Sequence, residues 1–359
     1  MKEKKAKKPP KNNKNTRTPR YSTGRAELDA QLEELVSSVC PGAEKDYVLQ
    51  IATSALKLGL QKAKRGDLKI ANTALKEMRV AFRMFTPYRR APKVTVFGSA
   101  RTEPGHSDYE RAEELGRRMA EAGWMVVTGA GSGIMGAAHR GAGRDMSFGV
   151  NIRLPFEQHA NRTIRGDRKL VTFRYFFTRK LFLLKESSAV VLFPGGFGTL
   201  DEGFEALTLL QTGKQTPIPV VMVDNPETTY FRDLVDFMQK RMVAGGLLSQ
   251  EDLSLLRVVD SPKAACEETL GFYRIYHSSR YIGEKLVLRL RRALSRQELE
   301  HLTHSFADIL GSGGIEESPM LPEEAEDSEM KALSRIQLGF NRRSFGRLRQ
   351  LIDAINGFD

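Results

Sequence analysis

Residues 189–210, AVVLFPGGFGTLDEGFEALTLL, constrain the fold more than any other part of this 359-residue chain. Residues 189–193 form a continuous apolar run, the pattern of a strand buried on both faces. Pro194, Gly195 and Gly196 break it. Beyond Gly198, the residues Leu200, Phe204, Leu207 and Leu210 recur at helical spacing, which predicts a helix with those four on its inner face. Thr199 is expected at the N-cap, with Glu202 three residues on to close a capping box. A glycine turn feeding a helix start leaves backbone N–H groups and the positive end of the helix dipole free to receive an anion.

The same strand-turn-helix alternation runs through residues 91–280. Strands are expected at 93–97, 124–127, 147–152, 169–173, 189–193, 217–223 and 255–259. Helices are expected at 108–122, after the turn at 129–136, and at 176–187, 199–212, 231–243 and 262–277. Alternation of this kind predicts a Rossmann-like, doubly wound parallel sheet, an α/β fold. Residues 26–90 read as a helical region, with helices at 26–39, 47–64 and 67–85 and a break at Arg65-Gly66. Residues 281–359 read as a small α+β appendage, with strands at 285–290 and 333–340, helices at 295–310 and 345–355, and a flexible loop at 311–327.

The chain carries a formal net charge of +12, much of it in residues 1–25, whose Lys-, Asn- and Pro-rich composition reads as a disordered tail able to touch polyanions. Two cysteines, Cys40 and Cys266, make no disulfide framework and point to a reducing, cytoplasmic setting. No apolar run is long enough to span a membrane, so no membrane role is expected.

Three turns, at 98–99, 129–136 and 195–198, follow predicted strands and would share the carboxyl edge of the sheet, where ligands of open α/β folds bind. They suit a mononucleotide. Gly131, Gly133 and Gly136 have dinucleotide-motif spacing, but no acid follows at the expected distance, and no P-loop is present. Upstream, Arg179 and Lys180 place two cations near a predicted helix start, an unfavourable position unless an anion arrives. Histidines and cysteines are too scattered for a metal site, His301 and His304 included, and no cofactor is expected.

Together these motifs resemble the LONELY GUY family, the cytokinin riboside 5′-monophosphate phosphoribohydrolases often labelled lysine decarboxylases. PGGFGTLDE at 194–202 matches the PGGxGTxxE signature of the family. FGSAR at 97–101, the turn at 129–136 and Arg179-Lys180 also match, over residues 93–277, and the regions 85–101 and 151–158 look like the longer bacterial members. The resemblance implies hydrolysis of the N-glycosidic bond of a nucleoside 5′-monophosphate, AMP-like or a cytokinin riboside monophosphate, to free base and ribose 5-phosphate. It places Arg179 and Glu202 as the catalytic pair. Gly195, Gly196, Gly198 and Thr199 would cradle the phosphate. Lys180, Asp201, Thr208, Ser99, Gly131, Gly133 and Glu157 would contact substrate. It also implies a homodimer or larger homo-oligomer.

Two departures stand out. The second glycine of the turn is Ala130, whose methyl is expected to narrow the pocket, and His139 replaces an Asn common in long members. The alternative function is a non-catalytic nucleotide sensor or carrier on the same fold; the presence of both Arg179 and Glu202 favours the enzyme. No feature marks a pyridoxal phosphate lysine.

Overall fold

The computed structural model describes residues 21–155, 159–311, 313–320, 324 and 328–359. The described residues up to Leu75 form one compact unit, and Lys76–Asp359 form another. The first unit holds helices α1 (Ala26–Val39) and α2 (Lys45–Leu60) and most of α3 (Arg65–Phe85). The break before α3 falls earlier than the expected Arg65-Gly66. Lys62 takes a left-handed φ of 54° and ends the α2 region, and Arg65 and Gly66 open α3 instead.

In the second unit the alternation is realised as β1 (Lys93–Phe97), α4 (Ser107–Glu121), β2 (Met125–Thr128), α5 (Ile134–Ala142), β3 (Ser147–Ile152), β4 (Leu170–Phe173) and α6 (Phe176–Lys185). It continues with β5 (Ala189–Leu192), α7 (Phe197–Gln211), β6 (Val220–Val223), α8 (Tyr230–Phe237), β7 (Leu256–Val259) and α9 (Pro262–Gly271). Every pairing in this sheet is parallel, in the order β4-β3-β2-β1-β5-β6-β7. The Rossmann-like doubly wound fold expected from the sequence is therefore the fold found. Strand order reverses direction between β1 and β5, the switch point at which such sheets open a crevice.

Alternate side chains of each strand feed two cores. Val94, Val96, Val126, Val191 and Val221 pack with α4, α5 and α9. Phe97, Val127, Phe148, Val190, Leu192 and Val220 face the opposite way, against Phe85, Phe182 and Leu210. Both faces of the sheet are buried, which is why these strands read as unbroken apolar runs.

The C-terminal part is an α+β appendage, as expected, but with a larger sheet. Residues 276–277 do not extend α9. They start a strand, β8 (Tyr276–Ile282), which pairs antiparallel with β9 (Lys285–Leu290) across a Gly283 turn. Then come α10 (Arg296–Ser305), β10 (Glu316–Glu317), α11 (Ser328–Lys331), β11 (Ser334–Leu338) and α12 (Phe345–Gly357), giving a sheet in the order β10-β11-β9-β8. The expected Ser295 cap is present, as a full capping box with Glu298. Within the expected loop, Glu316–Glu317 pairs with β11, and Glu324 is buried between Arg289 (2.8 Å) and Arg335 (2.6 Å). Burial works to raise the Glu324 pKa, but hydrogen bonds from Arg289 and Arg335 outweigh it and hold the carboxyl below its usual range. Sequence spacing gave no hint of this ion triad, because its members lie on three separate segments.

No helix among the described residues is long and apolar enough to cross a membrane. The closest packing of helices is α4 on α5. A methyl on Gly116 would lie 2.1 Å from the Ala138 carbonyl oxygen, and one on Gly141 would lie 1.8 Å from that of Glu113. Glycine is required here by backbone approach. Replacing Gly141 with Ala should therefore destabilise the protein by roughly 1–3 kcal/mol despite the better helix propensity of Ala. Urea unfolding of G141A measures this, and an unchanged midpoint would disprove the steric reading.

Candidate active site

β1 and β5 end side by side, paired from Val94–Ala189 to Phe97–Leu192, so the turns that follow them meet. The Ser99 N–H donates to the Pro194 carbonyl (3.1 Å), and the Ser99 carbonyl accepts from the Ile134 N–H at the start of α5 (3.0 Å). Two glycines permit this meeting. A methyl on Gly195 would lie 2.9 Å from the Ser99 nitrogen, and one on Gly133, whose φ is +62°, would lie 2.2 Å from the Ser99 oxygen. The three turns enclose a cleft of about 730 Å³. Its lining includes Ser99, Gly131, Gly195, Gly196, Gly198, Thr199, Arg179 and Glu202 among the residues expected at the site.

The helix after β5 starts two residues earlier than its sequence pattern indicates. Gly196 is the N-cap and Phe197 the first helical residue, and no side chain caps the end. Thr199 and Glu202 therefore form no capping box; both are buried inside the helix. The buried face is also rotated from the expected one. Thr199, Glu202, Gly203, Ala206 and Leu210 point inward, whereas Phe204 is exposed. The polar cleft competes with the apolar core for the first turns of α7, and it turns inward the Thr199–Glu202 face, which hydrophobic spacing alone did not assign to packing. Gly196 and Gly198 have open space where a Cβ would stand, so a ligand can approach their backbone.

Glu202 is only 4% exposed. One carboxylate oxygen accepts from Arg179 Nη2 at 2.7 Å and the other pairs with Lys180 Nζ at 3.0 Å. Arg179 Nε is buried with no hydrogen-bond partner, and the guanidinium lies over the Phe176 ring at 5.4 Å. Lys180 also reaches Asp201 (2.9 Å) and Glu205 (2.8 Å). Burial works to lower the Lys180 pKa, but the bonds to Glu205, Asp201 and Glu202 outweigh it and hold it above the ordinary lysine value.

The other expected site residues lie elsewhere. Lys180 does not line the cleft and acts on it through Glu202. Asp201 and Thr208 are exposed on α7, outside the cleft. Gly133 caps α5 and shapes the cleft from behind. Glu157 lies outside the described residues.

Ala130 does not narrow the cleft. It takes a left-handed φ of 62°, at a cost of roughly 1–2 kcal/mol for an L-residue, and its side chain is fully buried with Ala160 and Ile164. His139 is also fully buried and does not line the cleft. Sequence reasoning missed Tyr230, which lines the cleft and donates its hydroxyl to the Gly195 carbonyl at 2.6 Å. Its position just beyond β6, on the same sheet edge, was the available signal.

Comparison with known proteins identifies the family. The family described as possible lysine decarboxylase matches residues 134–269. The cytokinin riboside 5′-monophosphate phosphoribohydrolase of Mycobacterium tuberculosis is 31% identical over 177 residues, 48% of this chain and 90% of the relative. One from Rhodococcoides fascians is 30% identical, over 44% of this chain and 79% of the relative. The chain belongs to the LONELY GUY family. An Arabidopsis thaliana member is also 30% identical, over 44% of this chain and 71% of the relative. Among solved structures, the molybdenum cofactor carrier protein of Chlamydomonas reinhardtii is 24% identical, over 50% of this chain and 99% of that chain, at a TM-score of 0.36.

A carboxylate held in place by two cations is set to stabilise positive charge that develops beside it. Glu202→Gln keeps the shape and removes the charge. Base release from a nucleoside monophosphate should fall about a hundredfold or more in kcat, measured by chromatography of the free base. Full activity in a folded E202Q protein would remove Glu202 from the chemistry.

Proposed function

We propose that this LONELY GUY protein hydrolyses the N-glycosidic bond of nucleoside 5′-monophosphates, releasing free base and ribose 5-phosphate. The observation that carries this reading is the Arg179–Glu202 pair at 2.7 Å, on a cleft whose other wall is the open glycine start of α7. The 5′-phosphate is assigned to the N–H groups of Gly196, Phe197 and Gly198, where the helix dipole favours an anion. Glycoside cleavage proceeds through an oxocarbenium-like ribose, which an ionised carboxylate stabilises. Glu202 fills that role and orients the attacking water. Arg179 orients the Glu202 carboxylate through its Nη2 hydrogen bond, and its unpartnered Nε is available to a substrate oxygen.

The relatives named as cytokinin riboside 5′-monophosphate phosphoribohydrolases support this class of substrate. We assign AMP-like and cytokinin riboside monophosphates to the cleft, and no carrier role. Lysine decarboxylation does not fit. Decarboxylation with pyridoxal phosphate needs a lysine amine free to form a Schiff base. Lys180, beside the catalytic pair, is instead held as an ammonium by three carboxylates.

If the phosphate is bound as assigned, its contacts supply remote binding energy that the nucleoside lacks. AMP should be cleaved and adenosine hardly at all in a base-release assay across nucleoside monophosphates. Equal turnover of the two would overturn the phosphate assignment.

We also propose that the protein works as a homodimer or larger homo-oligomer. Phe176, Phe177 and Leu181 on α6, and Phe197 and Phe204 on α7, are exposed apolar side chains on two helices joined by the Lys180 ion pairs. A second copy would cover them. Light scattering at micromolar concentration should give at least twice the 40.3 kDa chain mass, and a monomeric mass would refute the assembly.

A further inference from the structure

Neither His139 nor Asn161 touches the cleft, yet together they hold one of its walls. Thr128 Oγ1 accepts the Ala130 N–H at 2.9 Å. The Asn161 backbone N–H donates to the Ala130 carbonyl at 2.8 Å, and its side-chain Nδ2 donates to the Gly131 carbonyl at 3.1 Å. One residue thus draws two successive carbonyls of the turn toward itself. Gly129 and Gly131 on either side of Ala130 line the cleft, and Ala130 carries the left-handed backbone of the turn.

His139 fixes which way the Asn161 carboxamide faces. Its Nε2 lies 3.0 Å from the Phe148 carbonyl and 3.1 Å from Thr128 Oγ1, so Nε2 carries the proton. That leaves Nδ1 as an acceptor, 3.1 Å from Asn161 Nδ2. Full burial lowers the His139 pKa to about 4, against smaller opposing effects from Phe148 and Asn161, and the ring is neutral at physiological pH. Asn161 Oδ1 is buried without a partner. Turning the amide over would set that oxygen against two acceptors, Nδ1 and the Gly131 carbonyl, so the histidine permits one orientation only.

We propose that Asn161, oriented by His139, is a positioning residue that holds the Gly129–Gly131 wall in its substrate-binding form by keeping the Ala130 and Gly131 carbonyls away from the cleft. A carbonyl swung into the cleft would present negative charge to the phosphate of a nucleotide. The inference rests on the nucleotide reading of the cleft. It assigns His139 and Asn161 to substrate affinity and leaves the chemical step to Arg179 and Glu202.

The test uses the full chain with Asn161→Ala, which removes the side-chain donor but keeps the backbone bond to Ala130. Asn161→Asp is its partner, since it keeps the volume and lacks the donor. AMP binding by calorimetry should weaken about tenfold in both variants, and kcat/KM for base release should fall by the same factor through KM, with kcat nearly unchanged. ¹⁵N-histidine NMR of the wild type should show His139 as the neutral Nε2–H form, and N161D should draw a proton onto Nδ1. Wild-type AMP affinity in a folded N161A or N161D protein would overturn the proposal, as would an Nδ1–H tautomer in the wild type. A wild type that binds AMP without releasing base would refute the proposed reaction and leave the affinity comparison to decide this inference. If neither variant folds, the wild-type tautomer decides it.

Discussion

The cleft depends on the backbone of one residue. Ser99 lies where β1 ends, and its N–H and carbonyl are claimed by two different turns, Pro194 after β5 and Ile134 at the start of α5. Such contacts require backbone to approach backbone, and a side chain at Gly195 or Gly133 would occupy the same space. The parallel sheet brings the strand ends together, the switch point opens a crevice there, and the glycines let the turns close on Ser99. The side chains proposed to act in catalysis enter only after this frame is built. Arg179 comes from α6 and Glu202 from α7, which flank β5 on either side in sequence.

The glycines of the signature divide by physical role. Gly195 and Gly133 are fixed by collision and would disturb the fold if changed. Gly196 and Gly198 meet nothing where a Cβ would stand, so packing makes no demand on them. The proposed binding of a phosphate by their backbone would supply the reason. Gly136 belongs to neither group: a Cβ there would make only ordinary contacts, the nearest at 3.5 Å. Spacing patterns such as GxGxxG merge these roles, which is why Gly131, Gly133 and Gly136 resembled a dinucleotide motif on a chain that lacks the accompanying acid.

Much of the fold was legible because it rests on periodicity. β3 and β9 have the bounds that the apolar runs give, and the parallel order follows from alternation. The misreadings occur where a polar demand overrides the hydrophobic pattern. At α7 the cleft, not the core, takes Thr199 and Glu202. β8 was hidden because Tyr276–Ile282 alternates only weakly, with Tyr276 and Ser279 buried and Tyr281 and Ile282 exposed. The Ala130 methyl was assigned to the cleft because sequence gives a residue's place in a turn but not the sign of its φ. With φ at 62°, the side chain leaves the cleft and joins Ala160 and Ile164. Tyr230 and Asn161 belong to no local motif and become visible only when distant segments are placed together.

Electrostatics then separates the two ends of the proposed substrate. Arg179 and Lys180 face Glu202, Asp201 and Glu205, so two cations stand against three carboxylates. Lys180 is largely spent on Asp201 and Glu205, and a phosphate gains little from this cluster. The surplus is negative, which repels a dianion and favours a developing cation. The start of α7 has the opposite character, since its N–H groups and dipole attract a dianion. Both lie on the same helix, with Gly196 at its cap and Glu202 in its second turn, about 9 Å apart at 1.5 Å per residue. A ribose with its 5′-phosphate spans that order of distance. The helix thus presents a positive end to the phosphate and a negative side chain to the anomeric carbon. In the proposed reading, that polarity sets the direction in which a nucleotide would lie, with its glycosidic bond toward Glu202.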